Sequence, residues 1–325
     1  MHALTQLAAL LATSLAASLT LQGTALAQAF PSKPVRLIAT STSGGPLDIF
    51  TRLVASKMEE RFKQPMVVES RPGAGGHIAA TAVLGAPADG YTVLSSIDTT
   101  FTVNPSLFAS MPFDPEKDFV PVSVLAKFGQ MLVVPPDLPV KSVRELVELS
   151  KTRNLNYGSA GNGLPSHLSF AYLQAVTGLR ASHVPYKGNP PVLMALTTSE
   201  VQAAMVISTS VLSQAKAGKM RMLAYSDVTR SDVAPEVPTM AEQGFKDFEV
   251  LFSYVMLVKT GTPQPLVDAL HAAATQSVNA TDIRDKLRGV DTVPIALSQA
   301  DSVAWLKRYR AKWDGVIKPM NIKAE

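Results

Sequence analysis

Beyond residue 29 the chain alternates short continuous apolar runs with longer stretches in which apolar residues recur at three- and four-residue spacing. These are the patterns of buried strands and of helices with one buried side. Residues 35–40 predict a buried strand and 47–61 a helix carrying Ile49, Leu53, Val54 and Met58 inward. Residues 65–69 predict a second strand, 78–84 a second helix, and 91–94, after the turn Asp89-Gly90, a third strand. This βαβαβ order implies a parallel, helix-covered sheet. A second set follows, with helices at 143–151, 166–176 and 192–197 and strands at 155–157, 182–185, 201–206 and 220–225, so a second lobe of similar build is expected. Between the sets, 120–125, 131–134 and later 250–258 predict strands long enough to run from one lobe towards the other. Helices at 264–279, 281–288 and 299–317 close the chain, with Trp305, Leu306, Tyr309 and Trp313 on one packed side of the last.

Composition narrows the function classes. The first 29 residues hold no Lys, Arg, Asp or Glu, are apolar from Leu4 to Leu26, and end in Ala27-Gln28-Ala29, the small-x-small pattern that precedes signal-peptide cleavage. A leader removed after Ala29 is expected, and a retained membrane anchor of about 20 residues is the alternative. With the leader removed, the protein acts outside the cytoplasmic membrane, most simply in a periplasm. All 30 basic and 26 acidic residues lie in residues 30–325, and their net +4 is spread out, which excludes a nucleic-acid footprint. The absence of Cys excludes disulfides, Cys-ligated metals and a Cys nucleophile. The five His show neither His-Glu-x-x-His nor a tight cluster, so no metal is assigned, and no cofactor motif is present. No catalytic residue is assigned either: Tyr157 stands where a nucleophile elbow around Ser159 would need glycine.

Two loops carry the candidate chemistry. Ser41, Thr42, Ser43, Gly44 and Gly45 leave the first strand and enter a helix with Pro46 at its first position and Asp48 in its first turn. Ser159, Ala160, Gly161, Asn162 and Gly163 do the same in the second set, leading through Pro165 to Ser166 and His167. Glycine admits close approach of a ligand, and a helix start favours an anion. In open α/β sheets ligands sit beyond the C-terminal ends of strands, which is where both loops lie. Read singly, each loop is more simply an ordinary tight turn; as a pair, one per lobe, they read equally as tight turns or as a clamp for an anion. The stretch Arg71-Pro72-Gly73-Ala74-Gly75-Gly76-His77 lacks the third glycine of a dinucleotide fingerprint and reads as a turn before a helix that lines the cleft. Asp48 reads as a brace for loop backbone, and His167 as either a ligand contact or a helix cap.

Phe30-Pro31-Ser32-Lys33-Pro34-Val35-Arg36-Leu37-Ile38, Gly44-Gly45-Pro46-x-Asp48, Glu69-Ser70-Arg71-Pro72-Gly73-Ala74-Gly75-Gly76, Ala88-Asp89-Gly90-Tyr91-Thr92, Asn104-Pro105-Ser106-Leu107, Tyr157-Gly158-Ser159-Ala160-Gly161-Asn162-Gly163 and His183-Val184-Pro185-Tyr186-Lys187-Gly188 resemble the Bug family. These are extracytoplasmic solute receptors of tripartite tricarboxylate transporters. The resemblance implies a two-lobed α/β fold of the periplasmic-binding-protein (type II, Venus-flytrap) form, with 30–130 plus 240–325 as one lobe and 131–239 as the other. It also implies a monomeric receptor that closes on a small organic carboxylate and hands it to one large and one small integral-membrane permease subunit. Backbone N–H groups and hydroxyls of the two loops would hold the carboxylate. A ligand-presenting sensor for a two-component system, and a hydrolase or transferase using the same cleft, are the alternatives.

Departures from the family pattern bear on the ligand. Thr40-Ser41-Thr42-Ser43 replaces an apolar stretch with hydroxyls, and Leu164-Pro165 replaces hydroxyls with apolar groups. Val206 stands where relatives carry an Asp, which argues against an amino-acid ligand, with Asp98, beside Thr99 in the loop after the third predicted strand, as the candidate substitute for that carboxylate. A carboxylate with a hydrophobic body is expected over citrate.

Overall fold

In a computed structural model, residues 30–323 are described, except 247 and 321; the leader and its cleavage point lie outside them. In chain order, β1 (Val35–Ala39), α1 (Pro46–Phe62), β2 (Met66–Ser70), a 3₁₀ turn (Ala74–Gly76), α2 (His77–Leu84) and β3 (Thr92–Ile97) are followed by two single turns, α3 (Thr99–Thr102) and α4 (Asn104–Leu107). Then come β4 (Phe119–Phe128), β5 (Met131–Val134), α5 (Val143–Thr152), β6 (Asn156–Ser159), α6 (Pro165–Thr177), β7 (Ser182–Pro185), α7 (Asn189–Thr197), β8 (Ala203–Val206), α8 (Ser208–Lys216) and β9 (Arg221–Tyr225). The chain ends with β10 (Phe252–Lys259), α9 (Gln264–Val278), α10 (Thr281–Gly289), β11 (Thr292–Pro294) and α11 (Gln299–Ile317).

Two sheets result. The first has the order β11-β4-β10-β3-β1-β2 and the second β7-β6-β8-β5-β9. The expected parallel βαβαβ units are present as β2-β1-β3 and β7-β6-β8. Each is extended by antiparallel strands: β10 pairs with both β3 and β4, and β5 with both β8 and β9. Of the three strands read as connectors, β4 and β10 are thus members of the first sheet and β5 of the second, and the crossing itself is short. Gln130 and Ser226 exchange hydrogen bonds there, Gln130 N to Ser226 Oγ at 2.8 Å and Ser226 N to Gln130 O at 3.0 Å. Lys127 and Asp227 pair beside them at 2.6 Å.

The inner side of α1 is Leu47, Phe50, Val54 and Met58, all buried, which turns Ile49 outward at 47% exposure. Of the four positions named from spacing, Val54 and Met58 are buried, Leu53 is half-buried against the core and Ile49 alone faces out, while Phe50 points inward and packs on Tyr254 of β10 at 4.6 Å between ring centroids. Trp313 of α11 is fully buried; it stacks on Phe252 of β10 (5.5 Å, 12°) and meets Tyr172 of α6 edge-on at 6.4 Å. The last helix therefore ties the first sheet to a helix of the second. The helix α8 and the turns α3 and α4 were not legible in the sequence: Ser208-Thr209-Ser210 has the composition of a loop, and single turns carry no periodicity.

Candidate functional site

The loops beyond β1, β3 and β6 converge on one cleft between the sheets, about 450 Å³ in volume. The first sheet's side supplies Thr40, Gly73–Gly76, Ile97, Thr99, Thr100, Asn104, Leu107 and Phe108, and the second supplies Asn162, Gly163, Leu164 and Pro165. Among the described residues no charged side chain lines it. A second hollow of about 290 Å³, lined by Phe101, Phe119, Leu257, Val303, Leu306 and Arg310 among others, takes nothing from the second sheet. A ligand held between two sheets belongs in the first.

Of the residues singled out from sequence, Thr99, Asn162 and Gly163 line this cleft. Thr42, Ser43 and Gly44 are exposed, Ser41 and Gly45 half-buried, and Thr40 is the residue of that loop that reaches the cleft. Asp48 is buried and acts as a brace: its Oδ2 accepts from Gly44 N (2.9 Å) and Arg52 Nε (2.9 Å), its Oδ1 from Ser70 Oγ (3.0 Å). Burial works to raise its pKa, but the bonds from Arg52, Gly44 and Ser70 outweigh it and hold the carboxyl below its ordinary value. Asp48→Ala is expected to cost about 1–3 kcal/mol of stability by orphaning these donors, read as a lower denaturant midpoint.

The second loop is braced likewise. Ala160 N donates to Ser166 Oγ (2.9 Å), Gly161 N to Ser159 Oγ (3.2 Å) and Gly163 N to His167 Nδ1 (3.0 Å). The amides of Gly44, Ala160, Gly161 and Gly163, which the sequence offers to a ligand, are thus engaged by side chains of their own loops. His167 must be neutral to accept from Gly163. Burial, helped by the charge His183 would carry, pushes its pKa down to about 4, and the two imidazoles stack at 3.9 Å and 7°. Ser159 Oγ lies 2.6 Å from His183 Nε2, but Ser159 is fully buried behind the loop, which is where a packed pair sits and not a presented nucleophile.

Val206 is fully buried in β8, paired with Met131. Asp98 is enclosed beneath Thr99; its Oδ2 accepts from Ser253 Oγ at 2.7 Å, and Trp305 Nε1 donates to that same hydroxyl at 3.2 Å. Burial drives its pKa up to about 7. Neither residue lines the cleft.

The glycine-rich stretch does line it, as expected, through a left-handed run: φ is +119° at Gly73, +46° at Ala74, +62° at Gly75 and +97° at Gly76. A non-glycine residue in this region signals strain that surrounding contacts hold in place. Gly75 O accepts from Thr100 Oγ1 (3.0 Å) and Asn104 Nδ2 (2.8 Å). Sequence reasoning missed Thr100, Asn104, Leu107 and Phe108 as site residues; the Asn104-Pro105-Ser106-Leu107 motif was the available signal.

Two α/β sheets that face each other across an uncharged polar cleft define the class: a two-lobed solute-binding receptor. A model of the tripartite tricarboxylate transporter family receptor matches residues 50–322, and the chain belongs to that family. Protein BugT of Bordetella pertussis is 29% identical over 300 residues, 91% of this chain and 92% of the relative. An R. palustris protein solved with adipate is 31% identical with a TM-score of 0.81, covering 90% of this chain and 99% of the other. MatC from Rhodopseudomonas palustris, solved with malate, is 28% identical with a TM-score of 0.76, covering 89% and 100%. Among the described residues no helix is long and apolar enough to cross a membrane.

Proposed function

We propose that the chain captures a small organic carboxylate between its two sheets and delivers it to the integral-membrane permease subunits of a tripartite tricarboxylate transporter. It acts as a monomer in the periplasm after cleavage behind Ala29 and performs no catalysis. The observation that carries this reading is the uncharged cleft fed by loops of both sheets; adipate and malate in relatives of the same fold support the ligand class. Thr99 and the backbone N–H groups of Ser166 and His167 in the first turn of α6, which lack intrahelical acceptors, are the donors assigned to the carboxylate, with Asn162 beside them. Leu107, Phe108 and Leu164 suit an apolar body, so citrate, with its dense charge and no cation to meet it, fits poorly.

A thermal-shift panel of carboxylates tests this. A ligand at a hundred times its Kd stabilises by about 2.7 kcal/mol, enough to raise Tm by several degrees. Carboxylates with apolar bodies are expected to shift Tm, and citrate and glutamate to shift it least. Strong citrate or glutamate shifts with no response to apolar carboxylates would contradict the assignment.

A further inference from the structure

The hydrogen bonds behind the first sheet's side of the cleft run in one direction. Gly75 O is a pure acceptor, so Thr100 spends its hydroxyl hydrogen on it at 3.0 Å. The one hydrogen of Ser96 is committed in turn, to the acceptor Ile97 O at 2.8 Å or to Thr100 Oγ1 at 3.0 Å. Thr40 Oγ1, 3.3 Å from Ser96 Oγ, is left as the donor of that contact. Asn104 is fixed by the same carbonyl: its Nδ2 must face Gly75 O, and its other amide hydrogen meets His77 Nε2 at 3.2 Å. His77 is buried, which lowers its pKa and keeps it the neutral acceptor this contact needs. Both Nδ2 hydrogens are thereby used. Asn104 Oδ1 accepts from no group among the described residues, and Asn104 lines the cleft. The wall therefore turns acceptors to the ligand at Thr40 and Asn104, while the Thr99 hydroxyl on the cleft wall and the buried Ser41 hydroxyl in the loop after β1 have no partner among the described residues.

We infer that the ligand is a carboxylate that also carries a neutral hydrogen-bond donor, a hydroxyl or an amide N–H, directed at Asn104 Oδ1, and that Asn104 is the residue that selects it. This deepens the carboxylate reading above and rests on it. A bare carboxylate would bury the Asn104 acceptor unsatisfied, and an ammonium donor would find no carboxylate in the cleft to balance it. The rest of the ligand body meets Leu107, Phe108 and Leu164.

Calorimetric titration of matched pairs that differ by one hydroxyl tests it: 3-hydroxybutanoate against butanoate, malate against succinate, 4-hydroxybenzoate against benzoate. The wild-type protein is expected to prefer the hydroxylated member of the pair it binds best by about 5- to 100-fold. Asn104→Ala removes that preference. Thr100→Val also strips a donor from Gly75 O but leaves Asn104 Oδ1 in place, so it weakens both members alike and keeps their ratio. Carboxylate binding with a ratio near one in the wild-type protein, or a ratio that survives Asn104→Ala, overturns the inference and leaves the carboxylate reading standing. Absence of binding by every carboxylate overturns both.

Discussion

Gly163→Ala is expected to weaken ligand binding about 30-fold or more, because the added methyl has no room against Leu107 across the cleft. A Cβ at Gly163 would lie 2.1 Å from Leu107 Cδ2, far inside any real contact, and the residue holds φ +69°, where alanine is strained. The loop cannot slide back to make space without breaking the bond from Gly163 N to His167 Nδ1. The left-handed conformation costs roughly 1–2 kcal/mol and overpacking typically 1–3 kcal/mol more. Gly44→Ala separates the two costs: Gly44 has φ +77° but nothing within 4 Å of its would-be Cβ, so only the conformational part is expected there. Leu107→Ala in the Gly163→Ala background should return the overlap part. Calorimetric titration with the best carboxylate of the panel reads all three; wild-type affinity in Gly163→Ala would show that the two sheets do not meet at this contact in the bound state.

The second large effect is on stability against pH. His167 has its pKa depressed from 6.5 to about 4, so the native state resists a proton that the unfolded chain accepts. Its contribution is complete above pH 6.5 and disappears as pH falls towards 4, worth about 3 kcal/mol. His77 and His183, both lowered by burial, act in the same direction. Asp98 does the opposite. Its pKa is raised from 3.8 to about 7, so its contribution is complete below pH 3.8 and is lost as pH rises through 7, worth about 4 kcal/mol. The slopes of His167 and Asp98 nearly cancel between pH 4 and 7, so the wild-type denaturation midpoint there follows the remaining groups, His77 and His183 among them. Asp98→Asn removes the falling limb: at pH 4 it should match the wild type, and by pH 7.5 it should exceed it by up to about 4 kcal/mol. Urea denaturation at pH 4, 5.5 and 7.5 measures this, and parallel profiles for the two proteins would refute the buried ionisation of Asp98.

These two residues also show how far the sequence could be read. The positions of both loops followed from apolar runs ending in Gly-rich turns, and the order of β1, α1, β2, α2 and β3 followed from period alone. The lining role of 73–76 followed from glycine next to a helix start. What remained hidden depends on contacts across the chain. Asp98 looks like a loop carboxylate until Ser253, 155 residues away, and Trp305 enclose it. The loop amides look available until Asp48, Ser166 and His167 fold back on them. Asn104 becomes a site residue only because Gly75 O, 29 residues earlier, turns its amide.

The central claim is the place of binding, and a crystal structure of the protein with its best carboxylate tests it most directly. The ligand should lie between the sheets, its carboxylate near Thr99 and the start of α6 and its body against Leu107, Phe108 and Leu164. A ligand found instead in the hollow between Phe101, Leu257 and Leu306 would contradict the account.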